Sequence, residues 1–164
     1  MQLEPRPSRG SLLALDLGTR TGWAICREDG TVHSGEWNLS SFSRAREGVR
    51  FLLFRSALIN ARKVHGVDRV VYEEVAFVKA QKAAHLYGGW KAILLAWAET
   101  HEIPYDGVHT GVLKKFWSGS GRAGKQRMID VARMLGHNPV SDNEADAIAI
   151  LYWGLGNERQ AGAS

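Results

Sequence analysis

The chain has 164 residues, of which 45% are hydrophobic and 23% are charged, a composition typical of one globular domain with an ordinary core. Its single cysteine, Cys26, excludes an intrachain disulfide framework and a cysteine-based zinc site. The net charge of +4 is compatible with a polyanionic partner, and no apolar stretch is long enough to cross a bilayer. These properties favour a reducing, cytoplasmic location.

The first part of the chain predicts a leader followed by strands. Residues 1–10 are polar and contain two prolines, so we expect a flexible leader ahead of one domain over residues 11–156. A near-continuous apolar run predicts a buried first strand, and Asp29-Gly30 is a hairpin turn signal between the next two. The three strands are predicted at Ser11–Leu17, Thr21–Arg27 and Thr31–Leu39.

The rest of the chain alternates between helical and strand patterns. A long helix is expected to be capped by Ser43 and ended by Gly66, and Gly88-Gly89 in the next helix predicts close packing against another backbone. This order predicts an α/β fold, a mixed five-stranded sheet with helices on both faces. The predicted strands are Asp68–Glu74 and Ile103–His109; the predicted helices are Ser43–His65, Lys79–His101, Thr110–Trp117, Lys125–Leu135 and Asp142–Leu155, before a flexible tail at 157–164.

Three acidic residues stand at the ends of three different apolar elements. Asp16 ends the first strand, Glu73 lies at the end of the fourth, and Asp146 lies in the final helix. Carboxylates are costly in apolar surroundings unless they are paired or bound to a cation, so these three indicate one shared site. Oxygen ligands favour Mg²⁺ or Mn²⁺ over zinc, and such a site suits metal-assisted hydrolysis of a phosphodiester.

Each acid also has a simpler interpretation. Asp16 would serve as a turn residue, and Glu73 as a surface acid at a strand end, with Glu74 as the competing ligand. Asp142 would serve as the N-cap of the final helix, bound to a backbone amide three residues on. Asp146 is flanked by alanines in an apolar helix, where an unpaired structural role is costly.

A basic segment precedes the final helix. Its twenty residues from Lys114 to Arg133 contain six cations and one acid, Asp130. A glycine-rich loop in this segment offers bare amides and cations, which are the groups that bind a phosphate backbone. The cations are Lys114, Lys115, Arg122, Lys125, Arg127 and Arg133.

Five segments in order resemble the RuvC family of Holliday-junction resolvases, members of the ribonuclease H-like superfamily. They are LALDLGTRTGWA, VVYEEV followed by Phe77, HLYGGWKA, VLKKFWSGSGRAGK and NEADAIAI, and together they span roughly residues 11–153. The resemblance implies a ribonuclease H-like fold and a homodimeric nuclease with two Mg²⁺ ions per site, for which Mn²⁺ would substitute. It also implies paired symmetric nicks on four-way DNA junctions. The short chain is compatible with a bacteriophage or mobile-element member.

The resemblance assigns roles to individual positions. Asp16 matches the first-strand aspartate of the family, Glu73 its glutamate and Asp146 its last aspartate. Among the basic residues, Lys114 and Lys125 match positions that contact DNA near the cut. Phe77 falls where some relatives carry an aromatic side chain that wedges into the junction core.

One position departs from the family pattern. Three residues before the last aspartate the family usually has aspartate or histidine, and this chain has Asn143. Asparagine offers a metal a carbonyl oxygen but no negative charge. Asp142 lies four residues before Asp146 on the same helix face and is favoured over Glu144 as the acid that replaces the missing charge.

A symmetric junction suits a two-fold homodimer. The helix over Lys79–His101 has more apolar surface than one contact uses, so we expect it to form the interface. The side chains predicted there are Leu86, Gly89, Trp90, Ile93, Leu94 and Trp97.

Two rival functions remain. One is a YqgF-like ribonuclease H-fold nuclease acting on RNA, which shares the first-strand pattern. The other is a junction-binding protein that has lost cleavage, which Asn143 motivates. The context of Phe77 favours the resolvase.

Overall fold

The computed structural model describes residues 10–40 and 46–161, and in that part of the chain five strands form one mixed sheet. This confirms the predicted α/β fold class. The strands are β1 (Leu12–Asp16), β2 (Arg20–Cys26), β3 (Val32–Asn38), β4 (Arg69–Glu74) and β5 (Tyr105–His109). The helices are α1 (Val49–His65), α2 (Gln81–Thr100), α3 (Thr110–Ser118), α4 (Lys125–Met134) and α5 (Asp142–Ala161).

The order of strands across the sheet is β3-β2-β1-β4-β5. β1 pairs antiparallel with β2 and parallel with β4, and β4 pairs parallel with β5. The first and fourth strands are therefore neighbours, as the sequence predicted, and their carboxyl ends lie at the same edge of the sheet.

Alternate residues of the sheet face two separate apolar cores. Leu12, Ala14 and Val71 pack with the helices α3, α4 and α5 on one face. Leu13 and Leu15 belong to the other face, which α1 and α2 cover. Since side chains alternate along a strand, Asp16 and Glu73 share the face of α5.

Two glycine predictions have different outcomes. Gly66 adopts φ +70°, and its N–H bonds to the carbonyl of Arg62, so it ends α1 as predicted. A Cβ at Gly89 would lie 2.6 Å from the ring of Phe51, whereas one at Gly88 would meet nothing within 4 Å. Gly89 therefore makes room for an aromatic side chain, and within this chain neither glycine makes the predicted backbone contact.

Some helix boundaries differ from the predictions. α5 continues to Ala161 instead of ending at Leu155. Thr110 lies inside α3, and the preceding residue, His109, makes no side-chain capping bond, so the cap predicted at Thr110 was wrong. The cap predicted at Ser43 lies outside the described residues. Among the helices of the described ranges, none has the length and hydropathy needed to cross a membrane.

The apolar face of α2 is turned inward. Trp90 is 3% exposed and packs edge-on against Phe51, and Leu94 and Trp97 are also buried in the core between α1, α2 and the sheet. The prediction that these three side chains form a subunit interface was wrong, because they stabilise the monomer.

Candidate active site

Asp16 and Glu73 lie side by side at the ends of adjacent strands. They follow Leu15 and Tyr72, which are partners in the β1–β4 register. Their carboxyl groups lie close enough for the Glu73 carboxyl to act on the pKa of Asp16. Burial first, and then the charges of Glu73 and Asp146, raise the pKa of Asp16 well above its usual value.

Asp146 reaches this pair from the second turn of α5. Burial and the neighbouring carboxylates of Glu73 and Asp142 raise the pKa of Asp146 to about 7, against the opposing effect of two lysines. The mutual influence of the three acids places them in one cluster. We call Asp16, Glu73 and Asp146 the acidic cluster.

Glu74 lies on the opposite face of the sheet from the acidic cluster. Lys91 donates to both of its carboxylate oxygens, at 2.6 and 2.7 Å, and the hydroxyl of Tyr72 donates to one of them at 3.0 Å. These donors lower the pKa of Glu74. The choice of Glu73 over Glu74 therefore agrees with the direction in which each side chain points.

The end of β4 is fixed by a tyrosine that the sequence analysis missed. The hydroxyl of Tyr87 donates to the carbonyl of Glu73 at 3.0 Å and accepts from the N–H of Val75 at 3.1 Å. It thus bridges the backbone on either side of Glu74. The available signal was the spacing of Tyr87 and Lys91, which lie four residues apart on one face of α2.

The first turn of α5 is capped by Ser141 and not by Asp142. The hydroxyl of Ser141 accepts from the N–H of Glu144 at 3.2 Å. The carboxylate of Glu144 accepts from Ser34 at 2.6 Å and from the N–H of Val140 at 2.8 Å, so it points away from the acidic cluster, as predicted. The sequence Ser141-x-x-Glu144 is a capping-box pattern and would have located this cap.

The side chains of Asp142 and Asn143 have different partners. Asp142 forms an ion pair with Lys125 of α4, which lowers the pKa of Asp142, and it lies close enough to raise the pKa of Asp16 and Asp146. The amide of Asn143 instead donates to Glu36 of β3 at 2.9 Å. The structure therefore brings Asp142 to the border of the acidic cluster and does not direct the Asn143 side chain there.

The predicted DNA-binding residues differ in how close the structure brings them to the acidic cluster. Lys114 lies near enough to Asp146 to oppose the rise of its pKa, as does Lys125. Lys115 and Arg122 are exposed. Phe77 follows the end of β4, and its side chain is 77% exposed, an unusual state for a phenylalanine.

The residues of the acidic cluster fit a hard divalent cation. All the donors are carboxylate oxygens, and burial first and the neighbouring carboxylates second raise the pKa of Asp16 and Asp146, a repulsion that a cation would relieve. Within the described ranges, no group of three or more His, Cys, Asp or Glu side chains already stands in an arrangement that would hold a metal ion.

Comparison with known proteins gives the family. No family model matches the chain. A protein of Anaeromyxobacter sp. (strain K) named crossover junction endodeoxyribonuclease RuvC is 31% identical over 146 residues, which cover 85% of this chain and 77% of the relative. The chain belongs to the RuvC family. A second relative of that name, from Anaeromyxobacter dehalogenans (strain 2CP-C), is 30% identical over the same shares of both chains.

Solved structures share the RuvC fold seen here. Thermus thermophilus RuvC in complex with Holliday junction substrate matches with a TM-score of 0.74 at 21% identity, over 88% of this chain and 92% of that one. The yeast mitochondrial Holliday junction resolvase Ydc2 matches with a TM-score of 0.61 at 12% identity, over 91% and 78% of the two chains. These likenesses confirm the ribonuclease H-like fold.

Proposed function

We propose that this RuvC-family protein is a structure-selective DNA endonuclease that resolves four-way junctions by paired symmetric nicks. The observation that carries the proposal is the acidic cluster, in which Asp16, Glu73 and Asp146 converge from two strands and a helix. The relatives with the same family membership are named for cleavage of crossover junctions.

The cofactor in this proposal is a pair of Mg²⁺ ions, with Mn²⁺ as a substitute. Asp16, Glu73 and Asp146 would hold them, and Asp142 is the acid at the border that would join after release from Lys125. Two divalent ions supply activated water and stabilise charge on the attacking and leaving oxygens of a phosphodiester. The protein contributes the partly buried carboxylates of the acidic cluster.

Branched DNA is the proposed substrate because cations and an exposed aromatic side chain border the acidic cluster. Lys114 and Lys125 stand beside the acids, where they would bind the phosphates that flank the cut. Lys115 and Arg122 extend the basic surface. Phe77 is exposed, so its ring would insert between bases at the junction centre and unstack them.

A homodimer is part of the same proposal, since two symmetric nicks need two sites. The outer face of α2 carries exposed small residues at Gly88, Ala92 and Ala96, which allow close approach of a second helix. We assign the interface to this face instead of to the buried side chains of α2. A cytoplasmic location follows from a DNA substrate and agrees with the single buried cysteine.

The rival functions give different results in one assay. Purified protein is incubated with Mg²⁺ and an immobile four-way junction, linear duplex of the same arms, or an RNA–DNA hybrid, beside the Asp146→Asn variant. The proposal predicts paired nicks on the junction that the variant does not make. Preferential cutting of the hybrid would favour the RNA nuclease, and tight junction binding without nicks would favour a binding protein.

A further inference from the structure

The first turn of α5 rests on β2 and β3, on the same face of the sheet as Asp16. Asp16 is in register with Gly22, and Gly22 is in register with Glu36, so these three positions form one row across three strands. A Cβ at Gly22 would overlap the backbone carbonyl of Asn143. The first turn of α5 therefore contacts the sheet at Gly22, between Asp16 and Glu36.

Glu36 is held by donors from two elements. The amide of Asn143 donates to one carboxylate oxygen at 2.9 Å, and the guanidinium of Arg20 donates to the other at 2.8 Å. The Glu36 side chain is only 13% exposed, and both donors lower the pKa of its carboxyl. Because a carboxylate only accepts hydrogen bonds, the NH₂ group of Asn143 must face Glu36.

A second contact joins the same two elements: Ser34, two residues before Glu36 on β3, contacts Glu144, the residue after Asn143 on α5. The hydroxyl of Ser34 donates to the buried carboxylate of Glu144 at 2.6 Å. Alternate residues of β3 thus bind consecutive residues of α5. The first turn is fixed in this way, and Asp146 projects from the turn that follows it.

We propose that Glu36 and Asn143 are positioning residues for junction cleavage. Their hydrogen bond seats the first turn of α5 on β3 and so places Asp146 beside Asp16 and Glu73. The inference rests on the proposed function for its catalytic consequence. It also explains why a neutral amide stands at this position, since an aspartate there would set a second carboxylate against Glu36 and remove the donor.

A direct metal-ligand role for Asn143 makes the opposite prediction. Asn143→Asp would then add negative charge to the metal site, so metal affinity and nicking would be kept or increased. The residue at position 36 would make no difference to that result.

The test compares Asn143→Asp, Glu36→Gln and the double variant, with two matched controls. Asn157→Asp makes the same chemical change at an exposed position of α5, and Glu28→Gln removes an exposed acid from the β2–β3 hairpin. The readouts are the thermal unfolding midpoint and the single-turnover nicking rate on a four-way junction. Nicking is measured at saturating Mg²⁺ and at a temperature where every variant is folded.

The proposal predicts that Asn143→Asp slows single-turnover nicking by about 10- to 100-fold, the size expected when a catalytic group is misplaced, with little change in junction affinity. Adding Glu36→Gln should restore most of the rate and the unfolding midpoint, because the new carboxylate then faces an amide donor. The two controls should match the wild type.

Full activity of Asn143→Asp, or a double variant no better than Asn143→Asp alone, would overturn the proposal. If the wild type itself does not nick any junction, the proposed function fails instead, and the unfolding midpoints decide the pairing separately. Recovery of the midpoint in the double variant would support the seating of α5 by Glu36, and its absence would refute it.

Discussion

Lys125 at the start of α4 forms an ion pair with Asp142 at the start of α5, on the border of the acidic cluster. The lysine side chain is 82% exposed and the aspartate side chain 29%, so water and solutes reach the pair. A divalent cation bound by Asp142 and a DNA phosphate bound by Lys125 would each separate them. The proposed metal ion and the proposed DNA substrate would therefore both act on the same exposed ion pair.

Replacing Lys125 with methionine should affect these two ligands in opposite directions. Affinity for Mn²⁺ without DNA should rise by about two- to fivefold, the range for loss of an exposed ion pair, since Asp142 is released. Affinity for the junction should fall, and its dependence on log salt should decrease by about one unit. Calorimetry and fluorescence anisotropy measure the two changes. Lys63→Met, at an exposed position of α1, is the control. A Mn²⁺ affinity lower in Lys125→Met than in the wild type would contradict the account.

Stability without metal should decrease as pH rises towards neutrality. The pKa of Asp146 is raised to about 7 and that of Asp16 is also raised, whereas unfolded aspartates titrate near pH ~3.9. The native state then holds more protons than the unfolded state, so the free energy of unfolding falls by up to about 1.4 kcal/mol per pH unit for each retained proton. This contribution is complete below the unfolded pKa and is lost as pH rises through the native pKa.

Urea unfolding in EDTA between pH 4.5 and pH 7.5 checks this slope. Asp146→Asn should flatten it, because the substituted side chain does not titrate. Mg²⁺ added at pH 7.5 should return stability to the wild type by mass action and have less effect on the variant. A wild-type stability that increases over this pH window would mean that the carboxylates are not crowded.

Phe77 should affect the substrate more than the fold. Its side chain is 77% exposed, so Phe77→Ala should leave the unfolding midpoint within error of the wild type. Nicking of a fully paired junction should slow by about tenfold, since inserting an aromatic wedge offsets unstacking that costs a few kcal/mol. A 2-aminopurine base at the junction centre reports the unstacking directly. A junction with unpaired central bases should rescue the variant, and equal loss on both junctions would exclude a wedge.

The outer face of α2 should control assembly. Ala92 is exposed, so Ala92→Arg is expected to convert a dimer to a folded monomer in sedimentation velocity with an unchanged unfolding midpoint at low concentration. Asn157→Arg on α5 is the control for added charge. A dimer that persists in Ala92→Arg would place the interface elsewhere. A substitution at Trp90 would not test the interface, because Trp90 belongs to the monomer core.

Much of the fold and of the acidic cluster was predictable, because hydrophobic pattern and strand phase are local properties. The apolar run before Asp16 and the alternation that leads to Glu73 set which face each carboxylate takes. Glu74 points to the other face for the same reason, and Lys91 satisfies it there.

The missed features depend on contacts distant in sequence. Glu36 and Asn143 are 107 positions apart, and nothing local marks Glu36 as a partner of α5. Trp90 was assigned to an interface because the apolar surface of a helix does not reveal whether its own core or a second chain covers it. Only the packing of α1, through Phe51, decides between the two.

Anomalous diffraction from crystals soaked in Mn²⁺ tests the central claim most directly. The account predicts two peaks about 3.5–4 Å apart, the spacing of two-metal hydrolytic sites, bound by Asp16, Glu73 and Asp146. Crystals of Asp146→Asn should lose at least one of them. Saturating Mn²⁺ with no peak at these carboxylates, or with a peak only at another acid, would contradict the account.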